Sequence, residues 1–282
     1  MLHDNAADVL LIGSGLTAAD AFTSLMKAGW KGTIYSVSGS GITPSLHHQQ
    51  NTGRLLEASD FLRSDLCEAI HIYKKLKNQA MEEGSNPLLV VDQFRQVTAH
   101  LWKKFSLKDK RRFLHFFKSK WNAARHKMPE MIHQKIEEAL TRRQLKIFRG
   151  RVAHVETGRN FFVIKIKNNE QVQYFTARYV INCTGPGEPL FKPVSDLWND
   201  LLDQSLINPD QLCNGPAVND DLQTISAAGK INQHLFALGP VVKGTCGESV
   251  SVAEIRMQAR QVAQRALRNI VVEKKELDII EI

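Results

Sequence analysis

Long apolar runs, clustered cysteines and hydrolytic motifs are all missing from this chain of 282 residues. No stretch approaches membrane-spanning length, and the start lacks the pattern of a secretory signal, so neither a membrane span nor export is expected. Cys67, Cys183, Cys213 and Cys246 are too scattered for a C-x-x-C pair or a zinc-like spacing. That excludes a vicinal redox pair and suits a reducing, cytoplasmic setting. G-x-S-x-G, H-E-x-x-H and any convincing Ser-His-Asp arrangement are absent too, which disfavours a hydrolase. The pair His47-His48 has no third ligand nearby, so no metal site is expected. Repeats and low-complexity stretches are also lacking. An apolar fraction of 43% and a charged fraction of 23% are ordinary for a globular chain long enough for one large domain or two modest ones.

What is present begins with charge. The formal net charge of +8 is concentrated between Arg95 and Arg151, where Asp109, Glu130, Glu137 and Glu138 alone oppose a dense run of Lys and Arg. Phe94, Trp102, Phe105, Phe113, Phe116, Phe117 and Trp121 interleave with those charges at helical spacing. They read as the buried face of amphipathic helices with the bases solvated opposite. No nucleic-acid-binding fold accompanies the charge, so nucleic acid is not expected as a partner, nor is a membrane surface. A docked acidic partner stays open.

The informative segment is "DVLLIGSGLTAADAF", Asp8 to Phe22. Val9–Ile12 is a continuous apolar run, as a strand buried on both faces would be. Gly13, Gly15 and Ala18 then occupy the three small-residue positions of G-x-G-x-x-G/A. There the first glycine permits the tight turn and the second lets a pyrophosphate approach the backbone. The third small residue allows close helix–strand packing. Leu16 to Ala28 reads as a helix whose N-terminus faces the phosphates, Gly29 as its stop, and Thr33–Val37 as the next strand. The candidate dinucleotide contacts are Gly13, Ser14, Gly15, Leu16, Thr17 and Ala18, with Ser38 at the ribose. After the second strand the chain has Ser38-Gly39-Ser40-Gly41, neither an acid for NAD nor a base for NADP. The lack of a carboxylate leans to NADP, and NAD stays open.

Residues from about 54 to 144 read as a helical insertion broken at Gly84–Pro87, near Ser106 and at Pro129. Leu145–Phe148 is expected as the third parallel strand. Val152–Glu156, Phe161–Ile166 and Val172–Phe175 form a meander. Tyr179–Cys183 and Leu235–Leu238 read as further buried strands, ending in Thr184-Gly185-Pro186 and Gly239-Pro240. A long helix is expected from about Glu248 to Arg268, and a loosely held tail after Ile270. The fold class is therefore α/β, a Rossmann-type three-layer dinucleotide-binding fold with a β-meander and a large helical insertion. Residues 1–188 are expected to form the NAD(P)-binding domain, and 189–282 a separate C-terminal segment.

The segments "LLIGSGLTAAD", "YVINCTGP" and "LFALGPVVKGTCGES" occur in one order, and "QVTAHLWKKF", "KRRFLHFFKSKWNAARHKMPE" and "EIRMQA" lie among them. With these the chain resembles the bacterial FAD/NAD(P)-binding proteins, flavoproteins with two dinucleotide-binding domains related to N-hydroxylating and other flavin monooxygenases. In such proteins the FAD domain comes first and the NAD(P)H domain is inserted into it. The motif at Gly13 is similar to the second, NAD(P)H motif. The resemblance covers roughly the C-terminal two-thirds of the family, and no FAD glycine motif precedes Asp8. Three explanations are open: a shortened product, a separately encoded FAD-binding half, or one self-sufficient fold with Gly13, Gly185 and Gly239 at strand ends. The resemblance implies that Gly185 lines the crossing back to the flavin domain. It further implies that Gly239, Pro240, Thr245 and Glu248 face the flavin, and that Arg125 and His126, beside Trp121, face a site from the insertion. Cys246, without a base or second cysteine, is not expected to do redox work. Two functions follow. One is an FAD- and NAD(P)H-dependent oxidoreductase; the other is a non-catalytic dinucleotide-binding or regulatory module docking a partner through its basic helices.

Overall fold

The computed structural model describes residues 4–41, 43–46, 56–63, 65–168, 171–185 and 196–280. In chain order the elements are β1 (Val9–Ile12), α1 (Leu16–Lys27), β2 (Ile34–Ser38), β3 (Ser45–Leu46), α2 (Leu66–Glu82), α3 (Leu89–Lys104) and α4 (Leu107–Arg112). A π-helical turn over Phe113–Phe117 leads to α5 (Lys118–Arg125), β4 (Lys127–Met128) and α6 (Glu130–Thr141). Then come β5 (Leu145–Arg149), β6 (Arg151–Thr157), β7 (Phe162–Lys167), β8 (Val172–Ala177) and β9 (Tyr179–Asn182). The last are α7 (Asp196–Asp203), β10 (Gln223–Ile225), β11 (Ile231–Phe236), α8 (Lys243–Cys246) and α9 (Val252–Ile280). The pair His47-His48 lies outside the described residues, as does Pro186.

Two compact units share the chain. The first holds Met1–Gly53, Asn86–Asp92 and Leu114–Gly187; the second holds Arg54–Ser85, Gln93–Phe113 and Glu188–Ile282. The expected insertion, 54–144, is helical at most of its described residues but is divided between the units. The physical reason lies in α6. Its Ile136 and Ala139 are buried in the core of the first unit together with Phe22 of α1, so α6 works as the crossover helix before β5.

The first unit is built on a parallel sheet of order β5-β2-β1-β9. Its register aligns the strand ends, with Ile12 beside Val37 and Asn182, and Ser38 beside Arg149. Alternation along β1 sends Val9 and Leu11 to the helical side, where Ala18, Ala19, Phe22 and Leu25 of α1 pack with α6. Leu10 faces the opposite side, against Ile164, Ile166 and Ala177 of the antiparallel meander β6-β7-β8. Helices, sheet and meander thus make the three layers expected. Burial of a side chain such as Phe22, 1% exposed, stabilises the unit by roughly 1.5–3 kcal/mol.

The second unit corrects three expectations at its C-terminal end. The strand before Gly239 is not a buried partner of the parallel sheet. It spans Ile231–Phe236 and pairs antiparallel with β10, leaving Asn232, Gln233 and His234 partly or fully exposed. A polar sequence around the turn at Gly229 favours a solvated hairpin. The long helix starts at Val252 rather than near Glu248, because Ser251 and Glu254 form a capping box. Glu254 accepts from the amides of Val250 and Ser251, and Ser251 Oγ accepts from the Glu254 amide. The helix also continues past Ile270 to Ile280, where a loose tail was expected. Of the interleaved aromatics, Phe94, Trp102 and Phe105 are buried as expected, whereas Phe116 is exposed.

Candidate functional site

The aligned C-terminal ends of β1, β2, β5 and β9 open into a cleft of about 600 Å³, within the range of small-molecule sites. It is lined by Gly13–Thr17 after β1, Val37–Ser40 at the end of β2, Gly150–Val152 after β5, and Cys183–Gly185 after β9. Pro44 adds to the wall, and α5 supplies Ser119, Asn122, Ala123 and His126. β1 lies at the point where connections leave in opposite directions across the sheet, and the crevice outside such a point is where open α/β sheets bind ligands.

The glycines of the turn have different physical reasons. Gly13 has φ +122°, and a Cβ there would meet the Cys183 carbonyl oxygen at 2.5 Å. Its amide donates to Val37 O at 2.7 Å and its carbonyl accepts from Ser36 Oγ at 2.9 Å. Gly13 therefore serves the fold. Gly15 has an ordinary φ of −82°, and a Cβ there would meet nothing within 4 Å. It caps α1 with no side-chain hydrogen bond, whereas Asp65 caps α2 and Ser106 caps α4 through their side chains. The amides of the first turn of α1 and the positive end of its dipole are thus presented to the cleft beside open space. That arrangement accepts an anionic oxygen group.

Ser38, expected at the ribose, lines the cleft and is also tied to the protein. Its Oγ accepts from the Gly41 amide at 2.9 Å and lies 2.7 Å from Ser14 Oγ. It ties the glycine turn to the turn after β2. Ser14, Leu16 and Thr17 line the cleft with Gly185, while Ala18 is buried behind it at 4% exposure. His126, at the C-terminal end of α5, lines the cleft. Arg125 does not, and its Nε donates to Asn122 Oδ1 at 3.2 Å. Among the described residues the lining holds no Asp or Glu, and its charged side chain is that of Arg151. Burial pushes the Cys183 thiol up, away from a thiolate.

Gly239, Pro240, Thr245 and Glu248 belong to the second unit. Gly239 opens a single-turn helix over Gly239–Val242 with Pro240 in its first turn, and its amide donates to Gln258 Oε1 at 2.7 Å. Thr245 lies in α8, and Glu248 lies in the connection before α9. Trp102, from the segment "HLWKKF", anchors this loop: its Nε1 donates to the Gly244 carbonyl at 2.9 Å. Asn122, Ser119 and Arg151 carry no motif that marks them in the sequence. The nearest signal for Arg151 is the "FRGRV" that ends the third strand.

The chain matches no protein-family model and no curated protein sequence. Solved structures do share its fold. One is the L-lysine 6-monooxygenase of Pseudomonas syringae, at a TM-score of 0.61 and 12% identity over 95% of this chain and 55% of that one. Another is the ornithine N-hydroxylase of Kutzneria sp. 744, solved with reduced FAD, NADP+ and L-ornithine, at a TM-score of 0.57 and 11% identity over 95% and 55%. The ornithine hydroxylase of Pseudomonas aeruginosa aligns at a TM-score of 0.57 and 12% identity over 94% and 53%. This chain thus has the fold of flavin-dependent monooxygenases and spans about half the length of those relatives.

Proposed function

We propose that this protein is an FAD- and NAD(P)H-dependent oxidoreductase whose nicotinamide dinucleotide is held in the cleft at the end of β1. The observation that carries the reading is Gly15, beside open space at the uncapped start of α1. The residues fit a dinucleotide. The α1 amides from Leu16 onward would hold the pyrophosphate, Gly13 keeps the turn closed beneath it, and the Ser14–Ser38 pair fixes the turn's position. α5 closes one wall with Asn122 and His126, the polar groups suited to orient the remaining part of the ligand. When bound, NAD(P)H supplies a hydride and FAD accepts it, so this chain's task is to bind and orient. The shared fold supports the pairing, since the Kutzneria relative holds both cofactors. In this reading Gly239, Pro240, Thr245 and Glu248 belong to the flavin-facing portion, and a separately encoded FAD-binding half is the form it takes if the chain does not hold FAD by itself.

A second reading is a dinucleotide-binding module without turnover, docking a partner through its basic helices. One observation favours it: among its described residues the cleft offers His126 but no carboxylate, and its cysteine is buried. Calorimetric titration with NADPH, NADH and FAD, followed by assay of NAD(P)H oxidation with added FAD, separates the two. Binding with turnover supports the oxidoreductase, binding without turnover supports the module, and no nucleotide binding sinks both.

A further inference from the structure

We infer that Arg151 recognises the 2′-phosphate of an adenosine ribose, so that this cleft selects NADPH over NADH. The inference rests on the proposal that the cleft holds a nicotinamide dinucleotide. In a dinucleotide fold the ribose distinguished by that phosphate lies at the end of the second strand, here Ser38–Gly41. That turn carries no basic residue, and its Ser38 hydroxyl is engaged by Ser14 and by the Gly41 amide.

The chain supplies the charge from elsewhere. β5 ends alongside β2, with Arg149 in register with Ser38, and the Gly150 amide donates to Ser38 O at 2.9 Å. Gly150 is required where the chain leaves β5 for β6, because a Cβ would meet Ile166 Cγ2 at 2.5 Å. This pinned junction delivers Arg151 to the turn. Its Nε lies 3.7 Å from the position a Gly39 Cβ would take, and Arg151 lines the cleft. Gly39 thus leaves the space beside the guanidinium open. Among the described residues the lining has no carboxylate, so none of them competes there for the guanidinium or repels a phosphate. A guanidinium in that place offers paired N–H donors matched to phosphate oxygens.

The test is calorimetry on the whole chain with NADPH and NADH, and with 2′,5′-ADP and 5′-ADP as probes of the adenosine end. The wild type should bind each 2′-phosphorylated ligand at least about 10-fold more tightly. Arg151→Gln should weaken NADPH by about 10- to 100-fold and leave NADH within about threefold, while Arg151→Lys should restore part of the difference. Equal wild-type affinity for 2′,5′-ADP and 5′-ADP would overturn the inference even if the variant failed to fold. So would equal weakening of both dinucleotides in Arg151→Gln. In either case the nucleotide site itself would stand. If no dinucleotide bound the wild type, the site assignment and this inference would fall together.

Discussion

Two glycine-containing loops, Gly13–Gly15 in the first unit and Gly239–Gly247 in the second, look alike in the sequence and are used differently. In the second loop the chain's own atoms fill the spaces beside Gly244 and Gly247. A Cβ on Gly244 would fall 1.9 Å from Asp210 Oδ2, and one on Gly247, at φ +78°, 2.5 Å from Trp102 Cγ. The Gly239 amide is taken by Gln258. In the first loop Gly13 is packed in the same manner, against Cys183, but Gly15 faces nothing. Gly29, Gly84, Gly185 and Gly229 also face open space, but their φ is positive, whereas Gly15 at φ −82° lines the cleft with neither a packing nor a backbone need for glycine. That contrast, rather than the count of glycines, separates a binding turn from a packing turn.

The sharpest way to break the contrast is Gly244→Ala. The added methyl collides with the Asp210 carboxylate and should destabilise the second unit by about 3 kcal/mol, read as a lowered thermal midpoint. An unchanged midpoint would mean that the loop has slack, and the glycine there would need another explanation. Next comes Gly15→Glu, which should weaken NADPH binding by about 100-fold or more, since a carboxylate would fill the anion position. Its thermal midpoint should stay close to the wild type, because its Cβ would meet no atom within 4 Å and the side chain would extend into the cleft. A folded variant with full affinity would remove the site from this turn.

The smallest expected effect concerns Asp210. The residue is 7% exposed, its Oδ1 accepts from the amides of Leu212 and Asn214, and its Oδ2 is buried without a hydrogen-bond partner among the described residues. Burial pushes its pKa above the ordinary 3.8, against the amide bonds and nearby Lys110, which favour the charged form. A carboxyl with a raised folded-state pKa lends stability that is fully present below the unfolded value. The contribution is lost as pH rises through the folded value. The contribution of Asp210 should therefore decline as pH rises from below 4, and Asp210→Asn should remove it from the pH profile while keeping an oxygen for both amides. Urea midpoints of the two proteins from pH 3.5 to about 8 check this. Parallel curves would show that the carboxyl is not the source of the pH dependence.

Much of the first unit was legible because its signals are local. Val9–Ile12 is apolar at successive positions, a β-strand sends alternate side chains to opposite faces, and both faces of this one are covered. The helix after Gly15 and the strands at Ile34, Leu145 and Tyr179 came within a residue or two of their observed bounds. The second unit was harder to read. The capping box Ser251–Glu254 was present in the sequence and would have placed the start of α9. Leu235–Leu238 is apolar at every position and so reads as a buried strand, although its preceding residues, Asn232 to His234, are polar.

By itself the sequence determined the parallel α/β core, the place of the glycine turn and the order of the strands that follow it. Those features follow from hydrophobic periodicity and from the conformations open to glycine, both properties of neighbouring residues. Tertiary structure alone decided which glycine is packed and which is open, because that depends on atoms far along the chain: Cys183 against Gly13, Trp102 against Gly247. It also paired the Ser38 hydroxyl with Ser14 and brought Arg151 to the turn it flanks. The sheet register set that last juxtaposition. Hydrogen bonding between β2 and β5 joins residues more than a hundred positions apart, and no local pattern encodes it.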